Sequence, residues 1–398
     1  MKFCTTIIIL ICCFVHTAYS EEFYSLLTNN DSVLVTDFDN KVIFSKNSNK
    51  KLIPASIIKI LTSLSAFHFL GENFRFKTEF YLNKQNDLII KGYGDPLLIS
   101  EIIIEITKQL SLNGHLEQNK INNIILDNSY FSAEPVPGSI ADSAEPYDAQ
   151  TGALCVNFNT VNFKSDKNGK YHSAEAQTPL LPFVMKHIKG SKLKVGRIIL
   201  TGREKDLYPG YLFKYFLSKN GILVEGKIKT ENNKTDSNKL IYTHHSEYRL
   251  SDLVSKLLEF SNNFIANQIF LATGAKKFGE PASLSKSIRA TNIYTKQLNS
   301  NITDKVDYFI VEGSGLSRQN YISAKAMDRF LHLFEKHHNL MRKNKHEFYK
   351  TGTLTGISTR AGYLYIDENK TYRYVIMCNS PGIFSKSILD MIFRSLQN

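Results

Sequence analysis

Apolar and polar positions alternate with a period of two near both ends of the chain, and the rhythm changes between them. Residues 32–36 and 41–44 alternate around Asp37-Phe38-Asp39-Asn40, which predicts a hairpin. From Ile53 to Leu70 the chain is apolar nearly all round, with Pro54 at the start and Gly71 at the stop, a pattern that predicts a buried helix carrying Ser56 in its first turn. Between about residues 76 and 241, short apolar runs over 78–82, 88–90, 124–126 and 197–200 are punctuated by Asn, Gly, Asp and Pro, with helix-like pieces over 98–110 and 210–219. This block reads as a mixed α/β insertion. A helix over 250–260 leads to a polar junction at Ser261-Asn262-Asn263. A glycine-rich turn over 311–318 and a helix over 323–338 follow. The run over 349–364 opens on Lys350, Thr351 and Gly352 and passes into alternating Tyr-Leu-Tyr-Ile, which predicts an edge strand. A hairpin through Asp367-Glu368-Asn369, a strand over 372–378 and an apolar-faced helix over 385–396 complete the pattern.

Composition narrows the class. A chain of 398 residues with 42% hydrophobic residues buries a sizeable core and has room for two or three domains. The formal charge of +12 would suit an acidic partner, but Lys and Arg are scattered and no nucleic-acid motif accompanies them, so nucleic acid is set aside. The eleven histidines include His244-His245 and His337-His338, without zinc-protease spacing, and no metal is expected. At the N-terminus, Lys2, an apolar run from Ile7 to Val15 and Thr17-Ala18-Tyr19-Ser20 predict a secretory leader over 1–20, cleaved after Ser20. Its apolar core falls short of the roughly 20 residues a membrane-spanning helix needs. Cys155 and Cys378 then remain, as buried thiols or as one bridge.

Three short patterns carry chemistry. Ser56-Ile57-Ile58-Lys59 places a hydroxyl near a helix N-terminus and an amine three residues on, within reach of it; a capping serine with a snorkelling lysine would look the same. Ser261 offers a hydroxyl relay and Asn263 an amide able to bind a substrate carbonyl, although Ser and Asn are also ordinary turn formers. An edge strand starting at Lys350 can lay its backbone beside a peptide while the ammonium holds an anionic end.

Taken together and in order, Ser56-x-x-Lys59, Ser261-x-Asn263 and Lys350-Thr351-Gly352 resemble the motif set of the penicillin-recognising serine enzymes. Pro54-Ala55-Ser56, Gly94-Asp95-Pro96, Gly313-Ser314-Gly315-Leu316-Ser317-Arg318 and Lys350-Thr351-Gly352-Thr353-Leu354 resemble, more narrowly, the D-alanyl-D-alanine carboxypeptidase/endopeptidase family, the low-molecular-mass class C penicillin-binding proteins. The basic, glycine-free run over 342–349 departs from the Gly-Asp-Gly-like approach usual in that family.

The resemblance implies an α/β (α+β) fold of the β-lactamase/transpeptidase type, an antiparallel sheet flanked by helices. The catalytic domain would span 21–75 and 246–398, with a mixed α/β insertion over 76–245. It implies acyl transfer in which Ser56 attacks, Lys59 is general base, Ser261 passes the proton on and Asn263 holds the acyl-side amide. Lys350, Thr351 and Thr353 would hold the terminal carboxylate, Gly352 would leave room for close approach, and the backbone N–H groups of Ser56 and Thr353 would form the oxyanion hole. Peptidoglycan muropeptides are the implied substrates and β-lactams the covalent inhibitors, with no metal or organic cofactor. A β-lactamase and an idle muropeptide binder are the rival readings. The carboxypeptidase and endopeptidase shares, the oligomeric state and whether the terminal helix packs on the sheet or touches membrane stay open at this point.

Overall fold

The computed structural model describes residues 23–397 apart from 113, 115, 117–118, 141–145, 233–237, 299–306 and 368–369. The predicted leader and the turn residues Glu368 and Asn369 lie outside the described residues. Two compact units share the chain: one takes the residues up to His68, Val254–Asn262 and those from Thr291 onward, the other Phe69–Leu253 and Asn263–Ala290.

The first unit is built on a six-stranded sheet of strands β1 (Asp31–Asp37), β2 (Val42–Lys46), β3 (Arg342–Lys343), β4 (Glu347–Leu354), β5 (Ile357–Tyr365) and β6 (Thr371–Cys378), in the order β3-β4-β5-β6-β1-β2. Every neighbouring pair is antiparallel. Three helices matter for the site and its support: α1 (Lys59–Leu70), α2 (Ala324–Phe334) and α3 (Ser385–Gln397). Helix α3 repeats its apolar residues at helical spacing, and Ile388, Leu389, Ile392 and Leu396 are buried in one cluster with Val33, Val35, Tyr374 and Ile376 of the sheet. The terminal helix therefore packs on the sheet, and no helix among the described residues is long and apolar enough to cross a membrane. Helix α2 starts on a Ser323 cap, whose hydroxyl accepts from the Ala326 N–H at 3.1 Å, and Tyr363 of β5 ties to it by donating to the Leu331 carbonyl at 2.6 Å.

The second unit has a five-stranded mixed sheet in the order Ile228–Thr230, Ile124–Asp127, Leu88–Gly92, Arg75–Leu82, Lys239–Arg249. Helices Ser100–Leu112 and Gly202–Lys219 contribute Ile103, Ile106, Tyr208, Leu212 and Phe213 to its core, against Phe80, Ile90 and Leu126 of the strands. The short apolar runs of the sequence become these strands, and the central ones, Leu88–Gly92 and Ile124–Asp127, are buried along their whole length. Cys155 in this unit and Cys378 in the first are buried free thiols.

Two local expectations change. The helix expected from Ile53 is a 3-10 turn over Ala55–Ile58 followed by α1 from Lys59, so Ser56 lies in a tight turn ahead of the α-helix. Ala55 adopts φ 47°, a left-handed value no regular helix accepts. The expected edge strand also acquires a partial neighbour: β3 pairs Arg342 with Tyr349 and Lys343 with Phe348, leaving β4 open only beyond them.

Candidate active site

The site begins at the turn after Pro54. In a 3-10 turn residues i and i+3 eclipse, so Ser56 and Lys59 stand directly above one another, and Lys59 Nζ donates to Ser56 Oγ at 2.8 Å. A strained residue such as Ala55 persists only where its surroundings hold it. Here Thr359 Oγ1 donates to the Pro54 carbonyl at 2.7 Å, and two glycines press on the turn. A methyl on Gly315 would lie 1.9 Å from the Ala55 carbonyl oxygen, and one on Gly352 would lie 2.7 Å from the Ser56 backbone nitrogen. Gly352 is therefore what lets β4 reach the serine, and it brings Thr353, the next residue and an exposed one, to the same end of the strand.

Lys59 is fully buried, and its Nζ also donates to the Ser314 carbonyl at 2.5 Å. Burial holds its pKa well below the ordinary lysine value, the nearby Lys350 adds to this, and Glu312 opposes it. Glu312, itself fully buried, organises the loop that supplies that carbonyl. Its carboxylate accepts from the Ser314 N–H and hydroxyl at 2.6 Å each, from the Gly315 N–H at 2.7 Å and from Asn320 Nδ2 at 2.6 Å. Thr62 of α1 donates to the Gly313 carbonyl at 2.7 Å, so both carbonyls of the loop face the helix carrying the lysine.

Lys350 projects from β4 opposite Ala361 and donates to Ser261 Oγ at 2.7 Å and to the Thr351 carbonyl at 2.8 Å. Burial, and then the charge of Arg342, push its pKa down to about 7. Ser261 takes φ 55° in the break between helices Leu250–Phe260 and Asn263–Phe278. The first unit thus gathers Ser56, Lys59, Ser261, Lys350, Thr351, Gly352 and Thr353. Asn263 opens the helix that follows and falls in the second unit.

Glu312 is the residue that motif reading passed over. Its signal was an acid directly ahead of Gly313-Ser314-Gly315, a turn rich in N–H donors needing an acceptor. The arrangement offers a hydroxyl bound to a buried amine disfavoured as an ammonium, and beside it a second buried lysine on a strand with an open edge. Chemically, such a hydroxyl–amine pair can serve as a nucleophile with its base, and such an edge can hold an anion. Among the described residues no cluster of three or more His, Cys, Asp or Glu side chains could hold a metal ion.

Residues 21–191 and 186–344 match the family described as D-Ala-D-Ala carboxypeptidase 3 (S13), and the chain belongs to that family of serine peptidases. The chain is 23% identical to penicillin-sensitive carboxypeptidase A of Dictyostelium discoideum, over 88% of this chain and 82% of that protein. It is 22% identical to the D-alanyl-D-alanine carboxypeptidase DacB of Haemophilus influenzae, over 85% of this chain and 83% of that one. The crystal structure of penicillin binding protein 4 (dacB) from Haemophilus influenzae shares the fold, with a TM-score of 0.75 at 20% identity over 95% of this chain and 98% of that chain. The fold is thus that of a penicillin-recognising serine enzyme, a mixed α/β chain built on an antiparallel sheet flanked by helices. The matched stretch ends at residue 344, ahead of the strand bearing Lys350.

Proposed function

We propose that the chain hydrolyses the D-alanyl-D-alanine end of peptidoglycan stem peptides, and D-amino-acid cross-links between them, through an acyl-enzyme on Ser56. The observation that carries this reading is the Ser56–Lys59 pair, a 2.8 Å hydrogen bond to an amine whose burial disfavours the ammonium. Ser56 Oγ attacks the penultimate D-Ala carbonyl while neutral Lys59 takes its proton. The tetrahedral oxyanion lies against the backbone N–H groups of Ser56 and Thr353, each worth on the order of 3 kcal/mol in such a role. The C–N bond then breaks, and the proton passes by way of Ser261 to the departing D-Ala amine. Water attacks the ester and gives its proton to Lys59; the ester C–O bond then breaks as Lys59 returns that proton to Ser56 Oγ, releasing the shortened peptide with both residues restored. Lys350, Thr351 and Thr353 hold the carboxylate of the leaving residue, and Asn263 holds the acyl-side amide. β-Lactams acylate the same serine, in keeping with the names of the relatives. The leader over 1–20 would deliver the chain to the periplasm, where this substrate lies.

The test incubates the mature protein with a D-Ala-D-Ala muropeptide, with a cross-linked dimer and with penicillin, measuring released D-Ala, dimer cleavage and protein mass. D-Ala release with a long-lived penicilloyl adduct, both lost in Ser56→Ala, is expected. Rapid penicillin turnover without D-Ala release would mark a β-lactamase instead, and no adduct with no release would leave a binder.

A further inference from the structure

The basic run ahead of Lys350 forms strand β3, two residues long, which covers β4 only at Phe348 and Tyr349. On its other side β4 is paired with β5 from Glu347 through Leu354. From Lys350 onward, therefore, one edge of β4 has no strand beside it among the described residues. An extended peptide can add there by backbone pairing, continuing the line of β3. Arg342 is the residue of β3 nearest that open edge.

Residues opposed across an antiparallel pair share a face, and side chains alternate along a strand. Arg342, opposite Tyr349, consequently stands on the face that also bears Thr351 and Thr353, with Lys350 turned to the other face of the same open edge. It is exposed, its guanidinium carbon lies 5.8 Å from the centre of the Tyr349 ring, and no carboxylate among the described residues reaches it. The other arginine of this face, Arg360, is occupied: it is buried and donates to both oxygens of Glu347, at 2.9 and 2.5 Å. Lys350 is largely occupied too. An ammonium has three N–H donors, and those of Lys350 already serve Ser261 Oγ and the Thr351 carbonyl. One donor is left for a carboxylate that has two oxygens to satisfy.

We propose that Arg342 is a specificity-determining residue that pairs with the carboxylate of the substrate's leaving residue as the peptide lies along the open edge of β4. A guanidinium presents a planar fork suited to both oxygens, which the remaining Lys350 donor cannot serve alone. The field of Arg342 is felt at Lys350, where it disfavours the second positive charge. A bound anion relieves that repulsion, so the free site is tuned to accept one. The assignment rests on the peptidase reading given above.

Steady-state cleavage of two peptides alike except for a terminal D-Ala acid or D-Ala amide tests it, in wild type, Arg342→Gln, Arg342→Lys and the control Lys343→Gln. In Arg342→Gln, KM for the acid should rise about tenfold with kcat nearly unchanged and the amide unaffected, the loss expected for one charged hydrogen bond. Arg342→Lys should fall between, and Lys343→Gln should match wild type. Penicillin, which also bears a carboxylate, should acylate Arg342→Gln more slowly. Arg342→Ala supplies the same comparison if the Gln variant fails to fold. An active wild type whose acid-to-amide preference survives in the Gln and Ala variants overturns the role of Arg342 alone. A wild type that neither releases D-Ala nor takes up penicillin overturns the peptidase reading as well.

Discussion

A lysine sealed from water keeps its proton only where something opposes the loss of hydration. Lys350 has hydroxyl and carbonyl acceptors but a like charge in Arg342, and its pKa sits at about 7, against roughly 10.4 in an unfolded chain. Between those values the unfolded chain binds more protons than the native one, so this group makes stability rise with pH. Below the native value both states are protonated and the full cost of the buried charge is present. Lys350→Met should therefore exceed wild type in urea stability by its widest margin near about pH 6, and by a narrower one near about pH 10. A margin independent of pH would trace the effect to packing. Ser56, Lys59 and Lys350 were legible because their spacing survives in short patterns. Glu312 was not, because an acid in a loop reads as solvated until its donors, drawn from two to eight residues further along, are seen to converge on it.

Among the elements, the turn over Ala55–Ile58 and strand β4 depend on each other. The turn's left-handed residue has no local reason to exist, and what holds it is Thr359, Gly315 and Gly352 arriving from distant sequence. That is why a pattern of proline followed by apolar residues predicts an ordinary helix start and misses the 3-10 geometry. Strand β3 escaped notice for a similar reason, since two basic residues carry no alternation to read. Strands β1, β2 and β6 and helix α3 were legible from their apolar patterns, whereas the run over 349–364, expected as one edge strand, is two strands, β4 and β5, that turn between Leu354 and Ile357. Gly352→Ala would set a methyl 2.4 Å from Thr359 Oγ1 and 2.7 Å from the Ser56 nitrogen. It should lower penicillin acylation by at least about a hundredfold and cost about 2 kcal/mol of stability. Gly190→Ala, at a helical position with nothing within 4 Å, should leave acylation unchanged. Equal acylation rates for the two variants would remove Gly352 from the site's construction.

At the scale of the whole molecule the chain crosses between units several times, and Ser261 and Asn263, two positions apart, belong to different ones. The presence of a mixed α/β block could be read from its punctuation. Where its packing begins and ends could not, since contacts from residues far along the chain decide it. Among the described residues each unit carries one free thiol, Cys155 at 4% exposure and Cys378 at 0%, and burial pushes both pKa values up to about 12. Neither sulfur meets a reagent without its own unit opening. The fold is thus indifferent to the redox state of its surroundings and contains two separate clocks for its own unfolding. Reductant should leave the denaturation midpoint where it is. Thiol labelling in rising urea, followed by peptide mapping, should time the opening of the two units independently, and fast labelling of either cysteine in native buffer would show that its unit breathes.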